Sequence, residues 1–235
     1  MYLKHIHTPF AQDAGVFEMH GLFNYDGFVV QTMNRIADCI CLSLLWLVSS
    51  LPVITVGAAT TALYYSMNKC VRRSEGGVWK TYWHAFAANF KQATGLWLIL
   101  LAVYGALVAC CYSSYLMCIN GYLPKELFYF LLIVIAVITL WTSFVFPYLA
   151  KFQNTNRNVL KNCVYITVMN FPVALLNLVA LLLCALGISM FPLAITCAPG
   201  IYMVISCYAT EPVFRKYMSE EDRAKETLLD QEAAE

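Results

Sequence analysis

NCVYITVMNFPVALLNLVALLLCALGISMFPLAITCAPGIYMVISCYAT, residues 162–210, runs for 49 residues without a Lys, Arg, Asp or Glu. A run of about 18 apolar residues is long enough to cross a bilayer as a helix. A charge at mid-depth in a bilayer costs roughly 2.5 kcal/mol or more. Three more uncharged stretches precede this one, at residues 39–68, 92–124 and 127–150. Together they predict an all-α fold, a polytopic helical membrane bundle. Composition agrees, since 60% of the residues are hydrophobic and 12% charged, against roughly 25% charged in soluble domains.

The stretches divide the chain into a cytoplasmic N-terminal segment, 1–27, a membrane domain, 28–216, and an acidic cytoplasmic tail, 217–235. The first segment mixes Lys4, His5, His7, Asp13, Glu18 and Asp26 with short apolar patches. It has no apolar core of the kind a cleavable signal peptide needs, so the first span is expected to direct insertion.

Orientation follows from the bases, which gather on the cytoplasmic side of membrane proteins. Lys69, Arg72, Arg73, Lys80 and Lys91 face one acid, Glu75, in the first basic loop. Lys151, Arg157 and Lys161 face none in the second. The connection from Asn120 to Glu126 is nearly uncharged and is expected outside. The spans are then about 93–118 outward, 127–150 back, 163–186 outward and 192–211 back. The first stretch carries a base at both ends, Arg35 and Lys69, with Pro52 and Gly57 between them. Pro removes a helix donor and favours a break. This predicts a hairpin, about 30–51 and 57–72, with its turn near the outer surface or sunk into the bundle. Six spans and two cytoplasmic termini result. One long tilted first span, giving five, is the alternative.

In residues 78–91, Trp79, Tyr82, Trp83, Phe86 and Phe90 recur at helical spacing, while Lys80, His84 and Lys91 fall elsewhere. The pattern predicts a cytoplasmic amphipathic helix in the headgroup plane. It serves either as a surface strut or as a docking surface, with Lys80, His84 and Lys91 as the candidate docking residues.

Polar residues within the apolar stretches are few. Arg35 and Asp38 are three apart and placed to pair on one helix face. Asn170 and Asn177 are seven apart and share a face of the fifth span, where interhelical hydrogen bonds or a solute path would each explain them. Pro147, Pro172 and Pro199 are positions where a span can unwind. Asn34-Arg35, Lys91-Gln92 and Lys161-Asn162 each set an amide beside a base, which fits either three repeated hairpins or three anchored helix starts.

The exclusions are clearer. There is no Gly-x-x-x-x-Gly-Lys-Ser/Thr, no His-Glu-x-x-His and no Gly-x-Ser-x-Gly. The ten cysteines lack the paired C-x-x-C spacing of a metal site and read as packing residues. His5 and His7 have no further ligand nearby. Asp38 and Glu211 are the only acids near apolar segments and fall at their edges. No enzyme, cofactor or nucleic-acid partner is expected; the bilayer is.

Several motifs resemble the YesL-like family of bacterial membrane proteins, catalogued as a domain of unknown function. They are Asn34-Arg35-Ile36-Ala37-Asp38, Leu44-Leu45-Trp46 and the run from Leu51 to Tyr65 that includes Pro52, Thr55 and Gly57. A second motif holds Asn89, Phe90 and Gln92. A third is Phe146-Pro147-Tyr148-Leu149-Ala150-Lys151-Phe152, followed by Lys161-Asn162. The resemblance extends from about residue 21 to 216, with Ser43 where the family typically has Asn. It implies an association with carbohydrate uptake, because members are commonly encoded beside ABC importers of Gram-positive bacteria. It implies no catalytic residues. The expected function is an accessory or regulatory protein of carbohydrate ABC import in the plasma membrane, meeting permease and ATPase subunits. It lacks an ATPase motif and the Glu-Ala-Ala loop of a standard permease. The alternative is an independent small-solute transporter built on proline-broken spans.

Overall fold

The computed structural model describes residues 28–120, 124–152, 154–218, 220, 223–224 and 227–228. The expectations for residues 1–27 and for most of the acidic tail lie outside the described residues. So does the middle of the connection from Asn120 to Glu126. The chain falls into two units, Met1–Asn34 and Arg35–Glu235. Of the first, only the opening turns of one helix are described. All of the packing below belongs to the second.

Every described regular element is helical. Helix α1 covers Phe28–Ser49. A single 3-10 turn, Val53–Thr55, leads into α2, Val56–Ser66, which widens into a π-helical turn, Met67–Arg72. Then come α3, Val78–Ile119; α4, Lys125–Lys151; α5, Asn156–Met169; α6, Phe171–Met190; a 3-10 turn, Pro192–Thr196; and α7, Ala198–Arg215. Four of these helices are long and apolar enough to cross a membrane: Val30–Ser49, Val78–Ile119, Lys125–Lys151 and Phe171–Met190.

The expected break after Ser49 is present. Thr55 Oγ1 donates to the carbonyls of Ser49, at 2.6 Å, and Pro52, at 2.7 Å, tying off the end of α1. Trp97 Nε1 of α3 donates to the Val53 carbonyl at 2.6 Å. One turn later α2 touches α3 at Gly57, where a Cβ would lie 2.5 Å from Trp97 Cβ and 2.7 Å from the Ala93 carbonyl. Only a glycine permits that approach. Trp46 Nε1 of α1 donates to Thr60 Oγ1 at 3.2 Å, closing the hairpin.

Helices α3 and α4 are antiparallel along most of their length. Trp97 meets Phe146 with ring centroids 6.1 Å apart. The Tyr104 hydroxyl lies 2.9 Å from Thr142 Oγ1 and 3.2 Å from Thr139 Oγ1, and Tyr115 meets Phe128 at 5.7 Å. This register locates the α1–α2 turn. Trp97, which holds Val53, stands six residues past Lys91 and 22 before Ile119. The turn is therefore about 33 Å short of the far end of α3, at roughly 1.5 Å per residue.

Helix α2 is buried on nearly every side. Gly57, Ala58, Ala59, Thr61, Ala62, Leu63, Tyr64 and Ser66 are all buried. Small residues let α3, α4 and α7 close around it, in the way small side chains permit close helix approach in membranes. The largest buried side chains, Tyr64, Tyr82, Phe144 and Phe214, lie in the same core.

The structure corrects several expectations. Residues 78–91 do not form a separate helix in the headgroup plane; they are the first third of α3, which is 42 residues long. Tyr82, Ala85, Ala93, Leu96 and Leu100 make one continuous buried stripe across the expected joint, and no helix breaker interrupts Lys91-Gln92-Ala93. Residues 163–186 are not one helix, because α5 ends at Met169 and α6 starts at Phe171, with Pro172 in its first turn. Asn170 is therefore at a joint and shares no continuous helix face with Asn177. Pro147 does not unwind α4. Arg35 and Asp38 are both half-buried, and no hydrogen bond or ion pair joins them among the described contacts. The three amide–base pairs fall within α1, α3 and α5.

Candidate functional site

The π-helical turn Met67–Arg72 begins the site. Its i→i+5 turn is wider than an α turn, and such turns are rare and frequent at functional places. Here it follows Tyr64 with Asn68 and Arg72, three residues at four-residue steps. All three approach one carboxylate, Glu211 of α7, whose side chain is 1% exposed. Asn68 Nδ2 donates to Glu211 Oε2 at 3.3 Å, and the Tyr64 hydroxyl donates to the same oxygen at 3.4 Å. Arg72 Nη2 is 3.8 Å from Oε1. Lys151, the last residue of α4, donates its Nζ proton to Oε1 in a direct salt bridge. Thr210 completes the cluster, its Oγ1 2.9 Å from the Tyr64 hydroxyl and bonded onward to the Ser206 carbonyl at 2.7 Å.

A carboxylate taken out of water is tolerated only with cations and hydrogen bonds on its oxygens. Glu211, on α7, has both, from two other elements: α2 with its π turn and the end of α4. The cluster therefore joins three helix ends electrostatically. Aromatic contacts surround it. Phe214, one turn along α7, meets Phe144, Tyr148 and Phe152 edge-on at 6.2, 6.2 and 5.8 Å.

Lys151 also lines a cleft of about 910 Å³. One wall is α3, with His84, Ala85, Ala88, Asn89 and Gln92. The other side is the end of α4 and the chain leading into α5, with Phe152, Asn154, Thr155 and Asn158; Tyr65 of α2 also lines it. The walls are tied together: Gln92 Nε2 donates to the Asn154 carbonyl at 2.5 Å. Asn154 Nδ2 and Asn162 Nδ2 each donate to the Tyr148 hydroxyl at 2.9 Å. Asn89 Nδ2 turns back to the Ala85 carbonyl at 3.1 Å, which leaves its oxygen as an acceptor. The lining thus offers amides, two hydroxyls (Tyr65 and Thr155), an imidazole and an ammonium, and among the described lining residues there is no Asp or Glu.

The sequence candidates separate into three groups. His84, Asn89, Gln92 and Phe152 come together in the cleft. Pro52, Thr55, Gly57 and Trp46 build the α1–α2 turn and hairpin, and Pro147 sits in the buried end of α4. Lys80, Lys91 and Phe90 are exposed on α3, and Asn34, Arg35 and Asp38 belong to α1; none of the six lines the cleft. Glu211 is a correction. It was expected at an apolar edge and is instead the buried centre of an ionic cluster. Sequence reasoning also missed Tyr64, Asn68, Arg72 and Lys151 as its partners. The available signal was that Glu211 is the only acid between Glu126 and Glu220. Among the described residues, no group of three or more His, Cys, Asp or Glu is placed to hold a metal ion.

Residues 39–109 match the family described as "Protein of unknown function, DUF624". That segment runs from α1 through the π turn to α3, so it holds one wall of the cleft and one of the elements of the Glu211 cluster, α2 with its π turn. No curated protein and no solved structure matches the chain.

Proposed function

We propose that this chain is an integral membrane accessory or regulatory protein that docks a cytoplasmic partner in the cleft between α3 and the α4–α5 connection. The observation that supports this reading is the cleft itself. It is polar, acid-free in its described lining, and lies at the end of the bundle where the basic loops meet. On the positive-inside rule that end faces the cytoplasm, with the C-terminus on the same side. In the six-span reading the α1–α2 hairpin enters from this side. The register at Trp97 and Val53 favours a turn sunk within the bundle over one at the outer surface.

The partner implied by the YesL-like resemblance, extended beyond the matched residues, is the permease–ATPase assembly of a carbohydrate importer. The chain has no phosphate-binding loop and contributes no ATPase chemistry. The test is copurification in gentle detergent with those subunits, paired with uptake in cells carrying Lys80→Glu and His84→Glu. Retained protein with reduced copurification and reduced uptake supports the docking reading. Retained protein with normal values for both removes it. A small-solute carrier is the second reading, favoured by one feature: the buried Glu211–Lys151 pair borders the cleft, and intramembrane ionisable pairs line solute paths in carriers. Solute counterflow in vesicles holding only this chain would establish that reading and displace the first.

A further inference from the structure

We infer that the acidic C-terminal tail of this chain is an intramolecular occupant of the cleft, competing there with the cytoplasmic partner; the competition, though not the tail docking, rests on the docking reading above.

Charge complementarity carries the argument. His84 is in the lining, as is Lys151, whose ammonium is already paired with Glu211, so the free positive charge comes from lysines around it. Lys80 is one helical turn before His84, Lys91 one turn after Ala88, and Lys161 one turn after Asn158. Residues three or four apart share a helix face, so these exposed lysines flank the mouth of the cleft. The tail has the opposite sign. Residues 219–235 hold seven acids, Glu220, Glu221, Asp222, Glu226, Asp230, Glu232 and Glu235, against Arg223 and Lys225.

Connectivity supplies the second argument. Glu211 is bonded to Lys151, which lines the cleft, and α7 ends four residues later at Arg215. The tail therefore starts beside the cleft. Arg223 Nε donates to the Arg215 carbonyl at 3.1 Å, which ties Arg223 to the end of α7. The described tail residues Glu220, Arg223, Ala224, Thr227 and Leu228 are exposed, so the proposed occupant is the later part, with Asp230, Glu232 and Glu235. The seven residues after Leu228 reach about 23 Å when extended. Effective concentration makes a weak contact count, because a ligand on the same chain binds as an intramolecular event.

The experiment uses the full chain with a photo-crosslinker, Asn158→benzoylphenylalanine, and mass spectrometry of the captured peptides. Tail peptides containing residues 229–235 are expected. Capture should fall about fivefold on raising salt from about 0.05 M to about 0.5 M, as contacts between exposed charges are screened. It should fall similarly in the variant with Asp230→Asn, Glu232→Gln and Glu235→Gln. Mixed heavy and light chains should give captures within one chain. No tail capture overturns the proposal, and so does capture indifferent to salt and to those substitutions, or capture between chains. The same probe at Tyr112, toward the far end of α3, should capture no tail. Adding solubilised importer subunits then tests the other reading separately. Displaced tail peptide supports both, whereas undisplaced tail peptide leaves the tail contact standing and counts against competition.

Discussion

Where α2, α4 and α7 converge, Glu211 is held by Lys151, Arg72, Asn68 and Tyr64, and the aromatic rings of Phe144, Tyr148, Phe152 and Phe214 close around it. About 35 Å away along α4, at roughly 1.5 Å per residue, α3 and α4 meet through Tyr115 and Phe128, and most neighbouring residues are exposed. Val108, Tyr112, Leu116, Ile119, Tyr129, Phe130 and Ile133 all face outward. Lipid is as apolar as these side chains, so burying them would gain little and nothing selects a unique arrangement. At the basic end, position is specified by directional contacts. The comparison teaches that stability and any chemistry of this protein concentrate in one half of it.

Substitutions at four positions bear on that contrast. The largest effect is expected from Glu211→Ala, which leaves the buried Lys151 without its carboxylate. Removing one member of a buried ion pair costs about 3–5 kcal/mol, read as a lower thermal midpoint in detergent. Glu211→Gln should cost less, because the amide oxygen still accepts from Asn68 and Tyr64. If both variants melt like the parent, the cluster does not hold the three helix ends together.

Gly57→Ala comes next. The added methyl would overlap Trp97 Cβ and the Ala93 carbonyl, neither of which is the far end of a flexible side chain. Helix α2 must then move off α3, at about 1–3 kcal/mol. The same loss should appear as weakened protection of the Trp97 indole from solvent, since its bond to Val53 spans the same joint. A midpoint within one degree of the parent would show that the crossing is slack.

Asn177 of α6 sharpens the comparison in the other direction. It is fully buried, and neither its Oδ1 nor its Nδ2 has a hydrogen-bond partner. An unpaired buried polar group costs about 1–3 kcal/mol, so Asn177→Leu should leave stability unchanged or raise it. A clear loss would mean that this amide has a partner in the membrane, a water or a solute. Smallest of all, Ile133→Val on the exposed outer half should shift stability by no more than about 0.5 kcal/mol. A larger shift would place that face against another protein rather than lipid.

Much of the helix layout was legible. The uncharged run 127–150 became α4, Lys125–Lys151, because charge placement at a bilayer edge marks helix ends sharply. The break after Ser49 was legible from Pro52. Two joints were read wrongly for opposite reasons. Residues 78–91 have the aromatic period of a surface helix, but the same period continues as the buried stripe from Tyr82 to Leu100, and packing on α2 keeps α3 straight. At Asn170-Phe171-Pro172 a break occurs inside an unbroken apolar run, where hydropathy has no contrast to report. In the candidate site, His84, Asn89, Gln92 and Phe152 were singled out separately, the first three 60 or more residues from the fourth. Nothing in their spacing says that they share a cleft.

The amino-acid sequence by itself determined that this protein is helical, apolar over most of its length and basic at one end. These are properties of single residues and of their order along the chain, and charge in lipid is penalised wherever the chain goes. Only the tertiary structure decided that Glu211 is buried, that Lys151, Arg72, Asn68 and Tyr64 surround it, and that the α1–α2 turn stops beside Trp97. Those depend on which helix faces meet, and a Glu beside an apolar run reads the same whether its neighbours in space are water or two cations.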